Sequence, residues 1–382
     1  MRFTFQTTPA MTVEPGASSR IGEIVAGLGC RSVLLVTDKG IEAAGLLGPT
    51  LAGLAKHGVG HVLFTEVEAD PPDRVIAAAV AAARDAGIDG VVGVGGGSSL
   101  DTAKLAALLV SGRERLEDIY GIGLAKGPRL PLVLAPTTAG TGSEVTPISI
   151  VTTASGEKKG VVSPPLLPDW AVLDADLTLS VPPHVTAATG IDAMVHAIEA
   201  YTSRRLKNPL SDALAREALR LLSANIATVC RNGQDREARG AMLLGSALAG
   251  MAFANAPVAA VHALAYPIGG LFHVPHGLSN AMVLPHVVRF NAPAAEGLYA
   301  EIAAIVVLDI SGAASERTAA LVSYLADLAP SLGLDASLGS AGVRPEDLPK
   351  MAADAMKQTR LLVNNPREVT YDDALAIYGQ AL

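Results

Sequence analysis

Residues Val91 to Lys104 read VVGVGGGSSLDTAK, and this stretch decides the fold of the first half of the chain. A short apolar run enters three consecutive glycines and a serine, and a helical pattern leaves them. Glycine opens backbone angles closed to other residues and lets amides approach a phosphate. The helix that follows offers unpaired N–H groups and the positive end of its dipole to an anion. Strand, glycine turn and helix together make a phosphate-binding design, although the spacing is neither GxGxxG nor a Walker loop. Asp101, near the helix start, also complements the dipole.

The same alternation extends outward in both directions. Upstream lie the β-type run SVLLVT (32–37) ending at Asp38, a helical stretch to about Lys56, HVLF (61–64), the Pro71–Pro72 break and an Ala-rich helix over 73–86. Downstream the glycine helix covers 98–110 and PLVLA (131–135) reads as another strand. Strands separated by helices predict a parallel α/β sheet. Asp38 stands at the carboxyl end of its strand, where an acidic residue binds ribose hydroxyls and repels a 2′-phosphate, favouring NAD over NADP. A second candidate loop, PTTAGTGSEVT (136–146), follows a strand and offers many hydroxyls and open amides.

Beyond about Pro164 the prolines at 164, 165, 168, 182 and 183 punctuate a join. Helical segments then fit 184–203, 209–230, 235–254, 258–270, 293–307, 314–332, 345–357 and 370–380, with no sustained period-2 alternation. The predicted domains are an α/β dinucleotide-binding domain over 1–180 and an all-α domain over 181–382.

Composition agrees with a globular protein. Of 382 residues, 50% are hydrophobic, 17% charged and only 4% aromatic, and the net charge is −8. No Lys/Arg block supplies an electrostatic footprint for nucleic acid. No run of about 18 apolar residues suggests a membrane span, and no basic head with an apolar run suggests a signal peptide, so a cytoplasmic location is expected. The two cysteines, Cys30 and Cys230, read as small buried residues, with a single disulfide left open.

The helical half carries a second concentration of chemistry. In GIDAMVHAIEAY (190–201), Asp192 and His196 are four apart and share one face of an apolar helix. A buried carboxylate and imidazole need partners, and either a metal ion or a hydrogen-bonded His–Asp pair satisfies them. In VHALAYPIGGLFHVPHGLSNAMVLPHV (261–287), His262, His273, His276 and His286 make up half of the eight histidines. One carboxylate with three imidazoles suits iron(II) or zinc, and the sequence does not decide between them.

These motifs, GGGSSLDTAK (95–104), PTTAGTGSEVT (136–146), GIDAMVHAIEAY (190–201) and HALAYPIGGLFHVPHGLSNAMVLPHV (262–287), resemble in order and spacing those of the iron-containing (group III) alcohol dehydrogenase family. The resemblance spans almost the whole chain. It implies a Rossmann-like α/β nucleotide-binding domain, a helical domain in a dehydroquinate-synthase-like architecture, and a cleft holding cofactor, metal and substrate. It implies Asp192, His196, His262 and His276 as metal ligands, for iron(II) or zinc. It implies Asp38, Gly96, Gly97, Ser98, Asp101, Thr137, Thr138, Thr141 and Lys158 as cofactor residues for NAD, with Lys159 adjacent in the alignment.

The expected reaction is hydride transfer between NAD(H) and a small primary alcohol or aldehyde, with His262 and His276 at the catalytic metal, by a homo-oligomer, commonly a dimer. Two positions depart from the family pattern. A histidine with a proton-relay role is Tyr266 here, with His273 as a possible substitute, and an Asn before proline is Asp70. Ile148 and Phe253 are expected to line an apolar pocket, and no Arg/Lys cluster near the ligand motifs marks a phosphorylated substrate. Glycerol or hydroxy-acid dehydrogenases, a sugar-phosphate cyclase and a non-catalytic nucleotide- and metal-binding protein are the rival readings.

Overall fold

The structure, a computed structural model, describes residues 2–382. The chain divides into two compact units. One holds Gln6–Val181 and Gln234–Ala247, and the other holds Pro182–Gly233, Leu248–Leu382 and residues 2–5.

In chain order the first unit begins β1 (Ala10–Val13), α1 (Ile21–Gly27), β2 (Ser32–Val36), α2 (Lys39–Ala43), α3 (Gly48–Lys56) and β3 (Gly60–Phe64). It continues α4 (Asp73–Asp85), β4 (Gly90–Gly95), α5 (Gly97–Ser111), β5 (Gly121–Ile122) and β6 (Leu132–Pro136). It closes with β7 (Ile148–Thr152), β8 (Lys158–Val162) and β9 (Trp170–Leu173). Six strands form one sheet in the order β1-β9-β6-β4-β2-β3, every pair parallel.

The central strands are apolar at successive positions because both faces are covered. Val33 and Leu35 of β2 pack with α1 and α3 on one face, while Leu34 and Val36 pack with α4 and α5 on the other. From β2 the chain steps outward to β3. It then returns to β4, on the other side of β2, and moves on to β6. Ligands of open α/β sheets bind beyond the carboxyl ends of strands at such a reversal. Here those ends lead into Asp38, the glycine loop and the threonine loop.

Three features depart from the sequence reading. The helix expected up to Lys56 is split in two at Gly45, whose φ of 71° lies in the left-handed region. Strands β1 and β9, four residues each, pair with one another across more than 150 positions and carry no local periodicity. A small sheet, β5-β8-β7, with β7 and β8 antiparallel, occupies stretches to which the sequence reading assigned no element.

The helical unit comprises α6 (Pro183–Thr202), α7 (Pro209–Arg231), the end of α8 (Arg236–Asn255) and α9 (Ala260–Phe272). It continues with α10 (His276–Val306), α11 (Ala314–Ser331), α12 (Leu348–Ala355), α13 (Thr359–Leu362) and α14 (Tyr371–Ala381). Helix α10 starts 17 residues before the helix expected at 293; it holds Pro285 and Pro293 inside it, with a kink at Ala295. Every residue of α6 from Gly190 to Thr202 is buried, which is the pattern of a helix enclosed on all sides.

Gly277 lets α10 approach α6, since a Cβ there would lie 2.3 Å from the Ala188 carbonyl oxygen. No disulfide joins the two cysteines; Cys30 is buried, but Cys230, in the last turn of α7, is half-buried rather than buried. Among the described residues no single helix is long and apolar enough to cross a membrane.

Candidate metal centre and nucleotide loops

The i, i+4 spacing on α6 puts Asp192 and His196 on one face, and α9 brings His262 against them. Their ligand atoms all lie within 4.8 Å of one another, and all three side chains are buried. His276, at the first turn of α10, places Nε2 at 3.7 Å from Asp192 Oδ1 and is the one ligand candidate whose side chain is a third exposed. Its position follows from the Gly277 contact, which holds the start of α10 down on α6.

Neighbours fix these rings. Glu199, one turn beyond His196, accepts from the Val261 N–H at 2.7 Å and holds His262 Nδ1 at 2.6 Å. A carboxylate on Nδ1 places the proton there and turns the lone pair of Nε2 toward Asp192. Phe253 stacks on His196 at 4.3 Å between ring centroids, and His196 stacks on His262 at 4.8 Å. Burial pushes the Asp192 carboxyl up, but the neighbouring imidazoles and the bond from Asn280 outweigh it and hold the group below its usual range.

The arrangement fits a cation. Asn280, four residues after His276, donates from Nδ2 to Asp192 Oδ1 at 2.6 Å. The same nitrogen lies 3.4 Å from His262 Nε2 and 3.3 Å from His276 Nε2. An amide has two protons for these three acceptors, and its own Oδ1 is buried without a partner. Converging lone pairs in a buried site are costly unless a positive charge joins them. One carboxylate and three imidazoles are a donor set for iron(II) or zinc.

Tyr266 lies beside this cluster, its ring 6.0 Å from that of His276. Burial raises its hydroxyl pKa, against the charge and hydrogen bond of Arg360 from α13. His273 is apart from the cluster. It is exposed at the end of α9 with φ 56°, and its backbone N–H caps the helix at Gly269.

In the first unit the glycine and threonine loops lie against each other. A Cβ on Gly97 would meet Thr141 Cγ2 at 2.9 Å, and one on Gly96 would lie 3.8 Å from Thr138 Oγ1. Thr137 extends the sheet by donating from its N–H to the Gly95 carbonyl at 3.0 Å. Asp38 caps α2 through the Ile41 N–H at 3.0 Å, and its other oxygen accepts from Ser99 Oγ at 3.4 Å. Ser98 Oγ accepts from the Asp70 N–H at 3.2 Å, and Asp70 pairs with Lys158 Nζ at 2.7 Å. Lys159 instead turns to Glu157, at 3.5 Å. Lys158 is thus the lysine on the glycine-loop side.

Asp101 turns inward: its carboxylate accepts from Ser143 Oγ at 2.6 Å and from the Ile150 N–H at 2.8 Å. Sequence reasoning passed over Glu199, Asn280, Arg360 and Lys104. Glu199 and Asn280 had a signal, sitting three and four residues after His196 and His276, but Arg360 had none.

Residues 8–175 match the family described as iron-containing alcohol dehydrogenase, and residues 186–382 match the C-terminal part of the Fe-containing alcohol dehydrogenase family. The chain is 41% identical over 381 residues to long-chain-alcohol dehydrogenase 1 of Geobacillus thermodenitrificans, covering 98% of this chain and 95% of that one. It is 38% identical to the sulfoacetaldehyde reductase of Bilophila wadsworthia, covering 99% and 98%. The solved structure of a 1,3-propanediol oxidoreductase superposes with a TM-score of 0.97 at 36% identity over 100% of both chains. Fold and relatives together are those of oxidoreductases that interconvert alcohols and aldehydes. The chain belongs to the iron-containing alcohol dehydrogenase family.

Proposed function

We propose that this chain is an NAD(H)-linked, iron(II)- or zinc-dependent dehydrogenase of small primary alcohols and reductase of the corresponding aldehydes. The observation that carries the reading is the convergence of Asp192, His262 and His276 on the over-subscribed amide of Asn280, with His196 grouped beside Asp192 and His262. When bound, the metal supplies Lewis acidity toward an alcohol or carbonyl oxygen, and the nicotinamide supplies the hydride chemistry.

The protein's own share is orientation and charge. Glu199 holds His262 in one tautomer, and Phe253 shields His196 from water. Tyr266, its hydroxyl pKa raised by burial, keeps its proton at neutral pH and acts as a donor from Oη rather than as a base. Gly96, Gly97, Ser98 and the threonines at 137, 138 and 141 are assigned to the pyrophosphate, Lys158 to the ribose, and Asp38 to the discrimination of NAD from NADP. The family reading also carries a dimer, and the sequence reading a cytoplasmic location, for light scattering and cell fractionation to test.

The test is NADH-dependent reduction of an aldehyde panel by protein loaded anaerobically with iron(II) or zinc. Turnover that a chelator abolishes and added metal restores supports the reading. Full activity of a His262→Ala, His276→Ala double variant without bound metal overturns it.

Arg360 favours a second reading of the substrate. It reaches Tyr266 beside His276, and no carboxylate pairs with it among the described residues, so a guanidinium stands ready for an anionic substituent. An Arg360→Leu variant that loses sulfoacetaldehyde turnover but keeps propionaldehyde turnover supports an anionic aldehyde. Retention of both supports the neutral substrate.

A further inference from the structure

Under the two nucleotide loops lies a buried charged cluster with no part in the chemistry above. Asp101 and Lys104 sit three apart on α5, and their side chains are 13% and 0% exposed. Both reach the same neighbouring segment, from Ser143 to Ile150. Asp101 accepts from Ser143 Oγ at 2.6 Å and from the Ile150 N–H at 2.8 Å, while its backbone carbonyl accepts from Ser149 Oγ at 3.4 Å. Lys104 Nζ donates to the Ile148 carbonyl at 2.8 Å and to Thr146 Oγ1 at 3.3 Å, and lies 3.8 Å from Asp101 Oδ1. Glu144, in the turn these contacts bracket, is 1% exposed.

The location gives this cluster its meaning. The threonine loop is anchored at its start by the sheet, through Thr137 and Gly95. Its far end, from Ser143 onward, is held by side chains of α5, the helix whose N-terminus forms the glycine loop. One helix therefore carries the glycine loop at its tip and grips the threonine loop from below. The gap between the loops has little slack, with Gly97 against Thr141.

We propose that Asp101 and Lys104 are positioning residues for the nicotinamide cofactor: together they clamp the 143–150 segment onto α5 and so set the spacing between the two loops that hold its pyrophosphate. The proposal rests on the cofactor reading above and gives Asp101 a role one step removed from the cofactor. The clamp is sensitive to loss of either partner, because removing one leaves the other's charge uncompensated where water is excluded. Burial pushes Lys104 down to about 8, against the raising influence of Asp101 and Glu144. Deprotonation above that pH removes the charge on the lysine side of the clamp.

The experiment is NADH titration by fluorescence on metal-loaded enzyme, with kcat at saturating NADH and metal content measured on the same samples. Wild type, Asp101→Ala and the milder Ser143→Ala are compared. Ser143→Ala removes one hydroxyl and leaves the ion pair in place, so it serves where Asp101→Ala fails to fold. Loss of a buried charged hydrogen bond predicts an NADH Kd raised about tenfold or more in Asp101→Ala and less in Ser143→Ala, with kcat and metal content within about twofold of wild type.

A Kd unchanged in both variants overturns the clamp. A parallel fall of kcat, metal content and affinity also overturns it, because general loosening then explains the result. Failure of wild type itself to bind NADH overturns the cofactor reading instead.

Discussion

The candidate nucleotide loops and the candidate metal cluster solve opposite problems. The glycine loop is built from what is missing: glycines without side chains, at the tip of one strand and one helix, close in sequence. The metal cluster is built from what projects: a carboxylate and three imidazoles on α6, α9 and α10, drawn from positions 192 to 276. The first site tolerates few added atoms, and the second tolerates no lost ones. Damage to each should therefore show in a different measurement.

The sharpest way to break this division is at a ligand. His262→Ala should abolish tight metal binding and lower kcat/KM by about a thousandfold, since the Lewis acid supplies several kcal/mol, while NADH binding stays near wild type. Metal content by mass spectrometry and NADH titration read the two sides separately. If NADH affinity falls as steeply as metal content, the two sites are not energetically separate.

Next in size is Glu199→Gln, which keeps the shape but weakens the hold on His262 Nδ1. Metal affinity should fall roughly 10- to 100-fold, measured by competition with a chelator. No change would reduce Glu199 to a buried ion with a packing role.

Paired glycine substitutions sharpen the contrast. Gly277→Ala forces a Cβ to 2.3 Å from the Ala188 carbonyl, so α10 must lift from α6. About 1–3 kcal/mol of stability and part of the metal affinity should go with it. Gly97→Ala meets a threonine side chain at 2.9 Å instead and should raise KM for NADH several-fold with metal content intact. Thermal melts, metal analysis and kinetics on both variants check the pair.

The smallest effect concerns pH. Burial pushes Glu144 up to about 7, against its own backbone hydrogen bond and Lys104. The folded state therefore keeps a proton that the unfolded chain has released. This group's contribution to stability is full below the unfolded value of 4.5 and is lost as pH rises to about 7. Glu144→Gln should flatten that part of the profile, so its stability relative to wild type should rise between those limits in denaturant melts. Parallel profiles would show that Glu144 titrates alike folded and unfolded.

Legibility in the sequence follows the same division. The alternation around Val91–Lys104 revealed the parallel sheet because each central strand is one short apolar run bounded by turn residues. Strands β1 and β9 stayed hidden because four-residue strands acquire meaning only when they meet. On α6 the spacing of Asp192 and His196 showed a shared face, but periodicity alone could not choose between a metal and a hydrogen-bonded pair. The choice of His262 and His276 came from resemblance, since nothing local says which of the four histidines between 262 and 286 turn inward. For Asp101 the place at the start of α5 suggests only a complement to the dipole; the bonds of its carboxylate to Ser143 and Ile150 depend on a segment 42 to 49 residues away. Arg360 was invisible because its relation to Tyr266 exists only once α13 packs on α9.

The enclosure of α6 from Gly190 to Thr202 limits how such a protein can diversify. From Gly190 to Thr202 no residue has a face turned to solvent, so no position there can change size without disturbing a neighbour. Change is easier outside that stretch, as at Arg360, whose side chain is exposed. The ligand helix acts as fixed type, and the text that varies is set around it.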